Sequence, residues 1–216
     1  MDLEKIIYNI AVWALPVLFA ITLHEVAHGW VANKLGDGTA RMLGRLTLNP
    51  IKHIDPIGTI LVPLAMVLLQ TGFIFGWAKP VPVNTRNFKK PRKDMAIVAV
   101  AGPLANLAMA IFWFFVYKFS VSTLGDSSIG HGIMEMGRAG IIINLVLFVF
   151  NLLPIPPLDG GRVLSGFVPA TVSDLLDKIE PYGFFIVIGL LYFGVLNVIL
   201  DPVISFFMST IGSLFF

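Results

Sequence analysis

The stretch Ile21-Thr22-Leu23-His24-Glu25-Val26-Ala27-His28-Gly29-Trp30 decides how this chain is read. Three ionisable side chains sit inside an apolar run, 6–31, that otherwise carries no charge. A helix needs roughly 20 apolar residues to cross a bilayer, and this run passes easily. Ionisable groups at membrane depth are expensive, and they are kept where they do chemistry. A signal peptide would want a basic start, a short apolar core and a small-residue cleavage site. The run has none of that pattern and reads as an uncleaved membrane helix.

The rest of the chain agrees with a membrane setting. Of its 216 residues, 56% are hydrophobic and 13% charged, and the net charge is +2. Soluble domains carry about a quarter charged residues. The charge is too small for a nucleic-acid partner, and no nucleic-acid-binding motif is present. Cysteine is absent, so a metal must be held by nitrogen and oxygen ligands.

Further apolar runs cover 57–75, 95–119, 139–153 and 184–200, with an apolar tail at 203–216. The expected fold is an all-α polytopic membrane protein, 1–216 as a single transmembrane domain, with about four to six membrane helices. The run at 57–75 stands apart. Asp55-Pro56-Ile57-Gly58 opens it, Pro63 interrupts it and Gly72 and Gly76 close it, a pattern that suits a re-entrant segment buried in protein.

Basic residues support that reading. A full crossing by 57–75 divides the Lys and Arg residues nine against six between the two sides, whereas a dip and return divides them twelve against three. The positive-inside rule favours the dip, with the N-terminus outside and both flanking loops in the cytoplasm.

His24-Glu25-Val26-Ala27-His28 is H-E-x-x-H on a predicted helix. Residues four apart share a helix face, so both imidazoles reach one metal, for which zinc is the usual choice. Glu25 stands next to the first ligand as a general base. A catalytic zinc keeps three protein ligands and an open position, so His53, His131 or a carboxylate must supply the third.

A second constellation follows the run at 139–153: Asn151-Leu152-Leu153-Pro154-Ile155-Pro156-Pro157-Leu158-Asp159-Gly160-Gly161. Three prolines end the helix and free backbone groups, which membranes tolerate only where protein covers them or a cavity is lined. A carboxylate there needs a cation, and a zinc at His24 and His28 is a natural partner for Asp159. The alternatives are that Asp159 caps the next helix or lies in an aqueous loop. In the dipping arrangement Asp159 returns to the same face as His28.

With both constellations in view, and with Ala101-Gly102-Pro103-Leu104-Ala105-Asn106 between them, the chain resembles the site-2 protease family of intramembrane zinc metalloproteases, over about residues 21–164. The resemblance implies one Zn2+ per chain held by His24, His28 and Asp159, Glu25 as base, and Asn151 orienting or polarising the scissile carbonyl. It implies partly sheet-like, membrane-embedded structure around 40–80, and transmembrane segments of other proteins as substrates. The chain matches the compact members, without PDZ or CBS domains, in a bacterial cytoplasmic membrane with the site towards the cytoplasm. A metal transporter or an inactive substrate-binding homologue are the alternative functions. Asn106 reads as helix packing ahead of a residue that reaches the site, His53 and Asp55 as an interfacial pair ahead of a lining for the water path, and His131 as a solvated residue in a loop with Asp126.

Overall fold

The structure, a computed structural model, describes residues 3–69, 76–125 and 127–215. The 6–31 run forms α1, Leu3–Lys34. It stops where Gly36 takes a left-handed conformation (φ 111°). Asp37 N then donates to Ala32 O (2.9 Å) and Gly36 N to Asn33 O, which satisfies the last carbonyls of the helix. A short helix α2 (Thr39–Met42) follows.

Over its described part, 57–69, the second run is not one spanning helix. Asp55 caps it, with Oδ1 accepting from Ile57 N (3.0 Å) and Gly58 N (2.7 Å). A wide helical turn, Pro56–Leu61, then leads into α3, Val62–Leu68. The chain comes back as an extended stretch beside its own start: Trp77 N donates to Gly58 O (3.1 Å), and Lys79 N to His53 O (3.0 Å). Thr59 Oγ1 donates to Trp77 O (2.8 Å). The indole of Trp77 lies where a Cβ on Gly58 would come within 2.3 Å of it, so only glycine admits this return. Asp37 fastens the far end of the excursion to the end of α1, accepting from Asn84 N and from Asn87 Nδ2, each at 2.7 Å.

The dip expected from the charge pattern is therefore present, but its sheet component is not: among the described residues no strand occurs over 40–80. Pro80 and Pro82 remove two of the donors a ladder would need. Residues 70–75, the far end of the expected dip, lie outside the described residues.

α4 (Pro91–Phe119), prolonged by a wide turn at Ser120–Leu124, and α5 (Ser128–Asn151) are the central pair. Gly140 on α5 makes room for Trp113 on α4, whose ring a Cβ would approach to 2.2 Å. Small residues of this kind let membrane helices meet closely. α4 runs antiparallel to both α1 and α5: His28 of α1 reaches Val98, and Ala20 reaches Asn106 further along. α1 and α5 thus end on one side.

α6 (Asp159–Phe167), α7 (Ala170–Tyr192) and α8 (Val195–Phe215) complete the chain. The apolar run at 184–200 is not one helix. A left-handed Gly194 (φ 69°) breaks it, and its second half joins the tail to make α8. Leu196 and Leu200 of α8 pack with Phe148, Val149 and Leu153 of the α5 end. Among the described residues, four helical stretches are long and apolar enough to cross a membrane: Ile7–Lys34, Pro91–Leu124, Ser128–Asn151 and Val195–Ser213. The protein is an all-α, multi-pass membrane protein.

Candidate metal centre

His24 and His28 stand one turn apart on α1, so both rings point towards α4 and α6. Asp159 arrives from the other end of the chain. It does not cap α6. Leu158 holds the extended cap position, and Asp159 is the first helical residue. The two glycines behind it explain how it gets there. A Cβ on Gly160 would come within 2.3 Å of the carbonyl oxygens of Leu152 and Leu153, so the first turn of α6 tucks against the end of α5 only because that side chain is missing.

The result is a closed triangle of ligand atoms. His24 Nε2 and His28 Nε2 are 3.0 Å apart, and Asp159 Oδ2 lies 3.2 Å from the first and 3.1 Å from the second. All three residues are buried. Second hydrogen bonds fix the protons. His28 Nδ1 is 2.7 Å from Val98 O, which can only accept, so that nitrogen carries the hydrogen. His24 Nδ1 is 2.6 Å from Asn106 Oδ1. The Asn106 amide is oriented by its own donations, from Nδ2 to Ala20 O (3.1 Å) and to Asn144 Oδ1 (3.0 Å). With each Nδ1 protonated, the neutral rings turn bare lone pairs at one another and at a carboxylate oxygen that has no hydrogen-bond donor.

Three lone pairs at 3.0–3.2 Å repel unless a cation lies between them. Tetrahedral zinc with bonds of about 2.0–2.1 Å spaces its ligands about 3.3 Å apart, so the set suits zinc. The floor of the cradle is Gly102, where a Cβ would come within 2.3 Å of His28 Nε2 and 2.6 Å of His24 Cε1. Any side chain there would fill the space of the metal.

Glu25 is half-buried beside this triangle. Its Oε2 accepts the backbone N–H of Val81 (2.7 Å), which steadies the carboxylate from the returning extended stretch. Asn151 is the last residue of α5, and its Nδ2 donates back to Leu147 O (3.0 Å) in its own helix. Among the described residues no hydrogen bond joins it to the triangle.

Other sequence expectations divide. Asn106 does more than pack, since it contacts a histidine of the triangle. His53 is almost fully buried, with Nε2 on Thr47 O (2.9 Å), and Asp55 is the cap described above. His131 is not in a loop but on the exposed first turn of α5; Asp126 lies outside the described residues. Two partners escaped sequence reasoning. Val81 gave no signal at all. Asn144 gave one, a lone amide inside Ile141-Ile142-Ile143-Asn144-Leu145.

Comparison with known proteins bears on this geometry. The model of “Peptidase family M50” matches residues 120–194. “Putative zinc metalloprotease YwhC” of Bacillus subtilis is 42% identical over 205 residues, 93% of this chain and 89% of its own. A protein with the same wording in its name, Rip2 of Mycolicibacterium smegmatis, is 30% identical over 182 residues, 83% of this chain and 66% of its own. “Zinc metalloprotease MJ0392” of Methanocaldococcus jannaschii is 24% identical over 167 residues, 76% of this chain and 37% of its own. No solved structure matches the chain. A relative this similar along nearly its whole length, joined to a buried triangle suited to zinc, leads to one conclusion: the chain belongs to peptidase family M50, the site-2 protease family of zinc metalloproteases.

Proposed function

We propose that this zinc metalloprotease is an endopeptidase acting inside the membrane, cleaving peptide bonds in or near the transmembrane segments of other membrane proteins. One observation carries the reading. His24, Glu25 and His28 belong to a helix long enough to span, about 9–15 Å along α1 from its basic end at Lys34, and Asp159 of α6 meets them there. Soluble substrates do not reach that depth, and membrane segments do.

His24, His28 and Asp159 hold the zinc in this reading. Zinc bound there supplies Lewis acidity, to lower the pKa of a water molecule towards about 7 and to polarise a carbonyl oxygen. Glu25 takes the proton of the attacking water and returns it to the leaving amine, so one C–O bond forms as one C–N bond breaks. The Val81 N–H on Oε2 keeps the carboxylate aimed while it does so. Asn151, at the end of α5, turns its amide from Leu147 to orient the scissile carbonyl.

A helical substrate conceals its carbonyls and must unwind to be cut. Extended backbone to receive it runs over 76–84. There the N–H groups of 77, 79 and 81 are already used inward, on Gly58 O, His53 O and Glu25. Successive residues of an extended chain face opposite ways. The outer side therefore offers the carbonyls of 78, 80 and 82 and, because Pro80 and Pro82 lack N–H, one donor only. A substrate strand added to it donates its N–H groups and keeps its carbonyls free for the site. The proline-rich stretch 154–157 does not serve, since it is turned rather than extended and the Pro156 carbonyl is covered by α7 at Gly183. A cleft of about 470 Å³ between the extended stretch, α4, α6 and α7 is bordered by Val81, Gly161, Arg162 and Glu180, and its position beside the Val81 stretch that holds Glu25 supports it as the water path in this reading. The basic residues on both sides of the dip support a cytoplasmic position for this end, and in this reading the protein sits in a bacterial cytoplasmic membrane.

The test is cleavage of tagged single-span membrane proteins co-reconstituted with the purified protein. Wild type cuts them, a chelator stops it, and Glu25→Gln keeps its zinc and does not cut. Cleavage by Glu25→Gln at the wild-type rate overturns the reading.

A further inference from the structure

Of the two histidines in the triangle, one is held by the main chain and the other by a relay of side chains. His28 Nδ1 meets a backbone carbonyl, Val98 O. His24 Nδ1 meets the side chain of Asn106, and Asn106 in turn meets Asn144 on the next helix. We propose that Asn106 is a positioning residue for the zinc ligand His24, and that Asn144 sets the amide orientation in which it acts. The proposal rests on the ligand assignment above.

An amide has two faces, and only its oxygen face can accept from an imidazole N–H. Turned the other way, Asn106 would present an NH2 to His24. That would force the hydrogen to Nε2, the atom that must stay bare to bind the metal. Two acceptors prevent the turn. Ala20 O and Asn144 Oδ1 both take the Nδ2 hydrogens of Asn106, at 3.1 and 3.0 Å. Asn144 is itself fixed, because its Nδ2 donates to Gly140 O (2.8 Å) one turn back in α5. Each link therefore determines the next: Gly140 O fixes Asn144, Asn144 fixes Asn106, and Asn106 fixes the tautomer and ring plane of His24.

Burial makes the relay strict. Asn106 and Asn144 are both 0% exposed. No water competes for their hydrogens, so a misdirected amide would leave polar atoms unpaired in a low-dielectric interior. The relay also links elements the site depends on. It crosses from α5, which leads to Asp159, through α4, which carries Gly102, to α1, which carries both histidines. Partners of this kind behind a metal-bound histidine are worth about 10–100-fold in metal affinity.

The test uses the full-length protein in detergent, with zinc affinity measured by chelator competition and ligand geometry by the visible spectrum of the cobalt-substituted form. Asn106→Leu keeps the volume and removes the acceptor. It is expected to weaken zinc about 10–100-fold and to shift the cobalt bands. Asn144→Leu, which touches no ligand, is expected to weaken zinc several-fold and to shift the same bands. Thermal unfolding of the zinc-free forms separates positioning from packing. A variant that unfolds earlier yet binds zinc as wild type does, with an unchanged cobalt spectrum, overturns the proposal. Should Asn106→Leu fail to fold, Asn144→Leu decides on the same terms. Absence of zinc from the wild-type protein would sink the ligand assignment itself, a result distinguishable from failure of the relay alone.

Discussion

Gly102 and Glu25 show how much of this site hangs on single atoms. Gly102→Ala puts a methyl group where the structure leaves 2.3 Å to His28 Nε2. The helix position itself accepts alanine readily, so the expected outcome is a folded protein depleted of zinc, measured by metal content after purification. Retention of one zinc per chain would mean that the cradle is not where the metal sits. Glu25→Gln leaves the three ligand atoms untouched. If Glu25 is the base of the proposed mechanism, its loss lowers kcat by about 10²–10⁴-fold, with metal content unchanged. Both residues were legible to different degrees. Glu25 is visible in the spacing of its motif. The need for glycine at 102 is invisible in the sequence, because the clash involves a histidine 74 positions away.

At the scale of elements, one carboxylate clasps the end of the re-entrant excursion to the end of α1. Asp37 is fully buried yet lies outside the spanning helices. Burial alone would raise its pKa, but hydrogen bonds from Thr39, Asn84 and Asn87 outweigh that and hold it below the usual carboxylate range. A lowered folded-state pKa means that the stabilisation is present at neutral pH and is lost as pH falls through the folded value, below about pH 4. Asp37→Ala, which leaves those donors unpaired, is expected to cost about 1–3 kcal/mol. It should release the 84–87 turn, seen as amide hydrogen exchange there at pH 7 that is faster than in wild type. Equal protection in both proteins would refute the clasp. The extended stretch that supports Glu25 ends at this turn, so activity is expected to fall along with protection.

For the whole molecule, the return of the dip fixes which loops share a side. The chain contains no cysteine, so single cysteines at the exposed positions Lys52, Lys89 and Ser127 report topology cleanly. Lys52→Cys and Lys89→Cys are expected to react with an impermeant maleimide from one side, the cytoplasm, and Ser127→Cys from the other. Labelling of the first two from opposite sides would mean that 57–75 crosses the membrane, and that α1 and α4 cannot be antiparallel neighbours joined by a re-entrant loop.

The sequence by itself determined the membrane class, the dip and the identity of the metal-site candidates, because each rests on local composition: apolar run length, the asymmetry of basic residues, and histidines spaced one helical turn apart. It left open whether Asp159 caps a helix or joins the histidines. It also gave no view of Val81 on Glu25, and it ranked Asn106 as packing. Those points belong to tertiary structure alone. They depend on where separate helices meet, and in a membrane helices meet wherever small residues allow backbone contact and buried polar groups find partners. The bare lone pairs of the triangle are likewise a property of the assembled protein: each imidazole exposes Nε2 only because an acceptor on a neighbouring helix has taken the hydrogen at Nδ1.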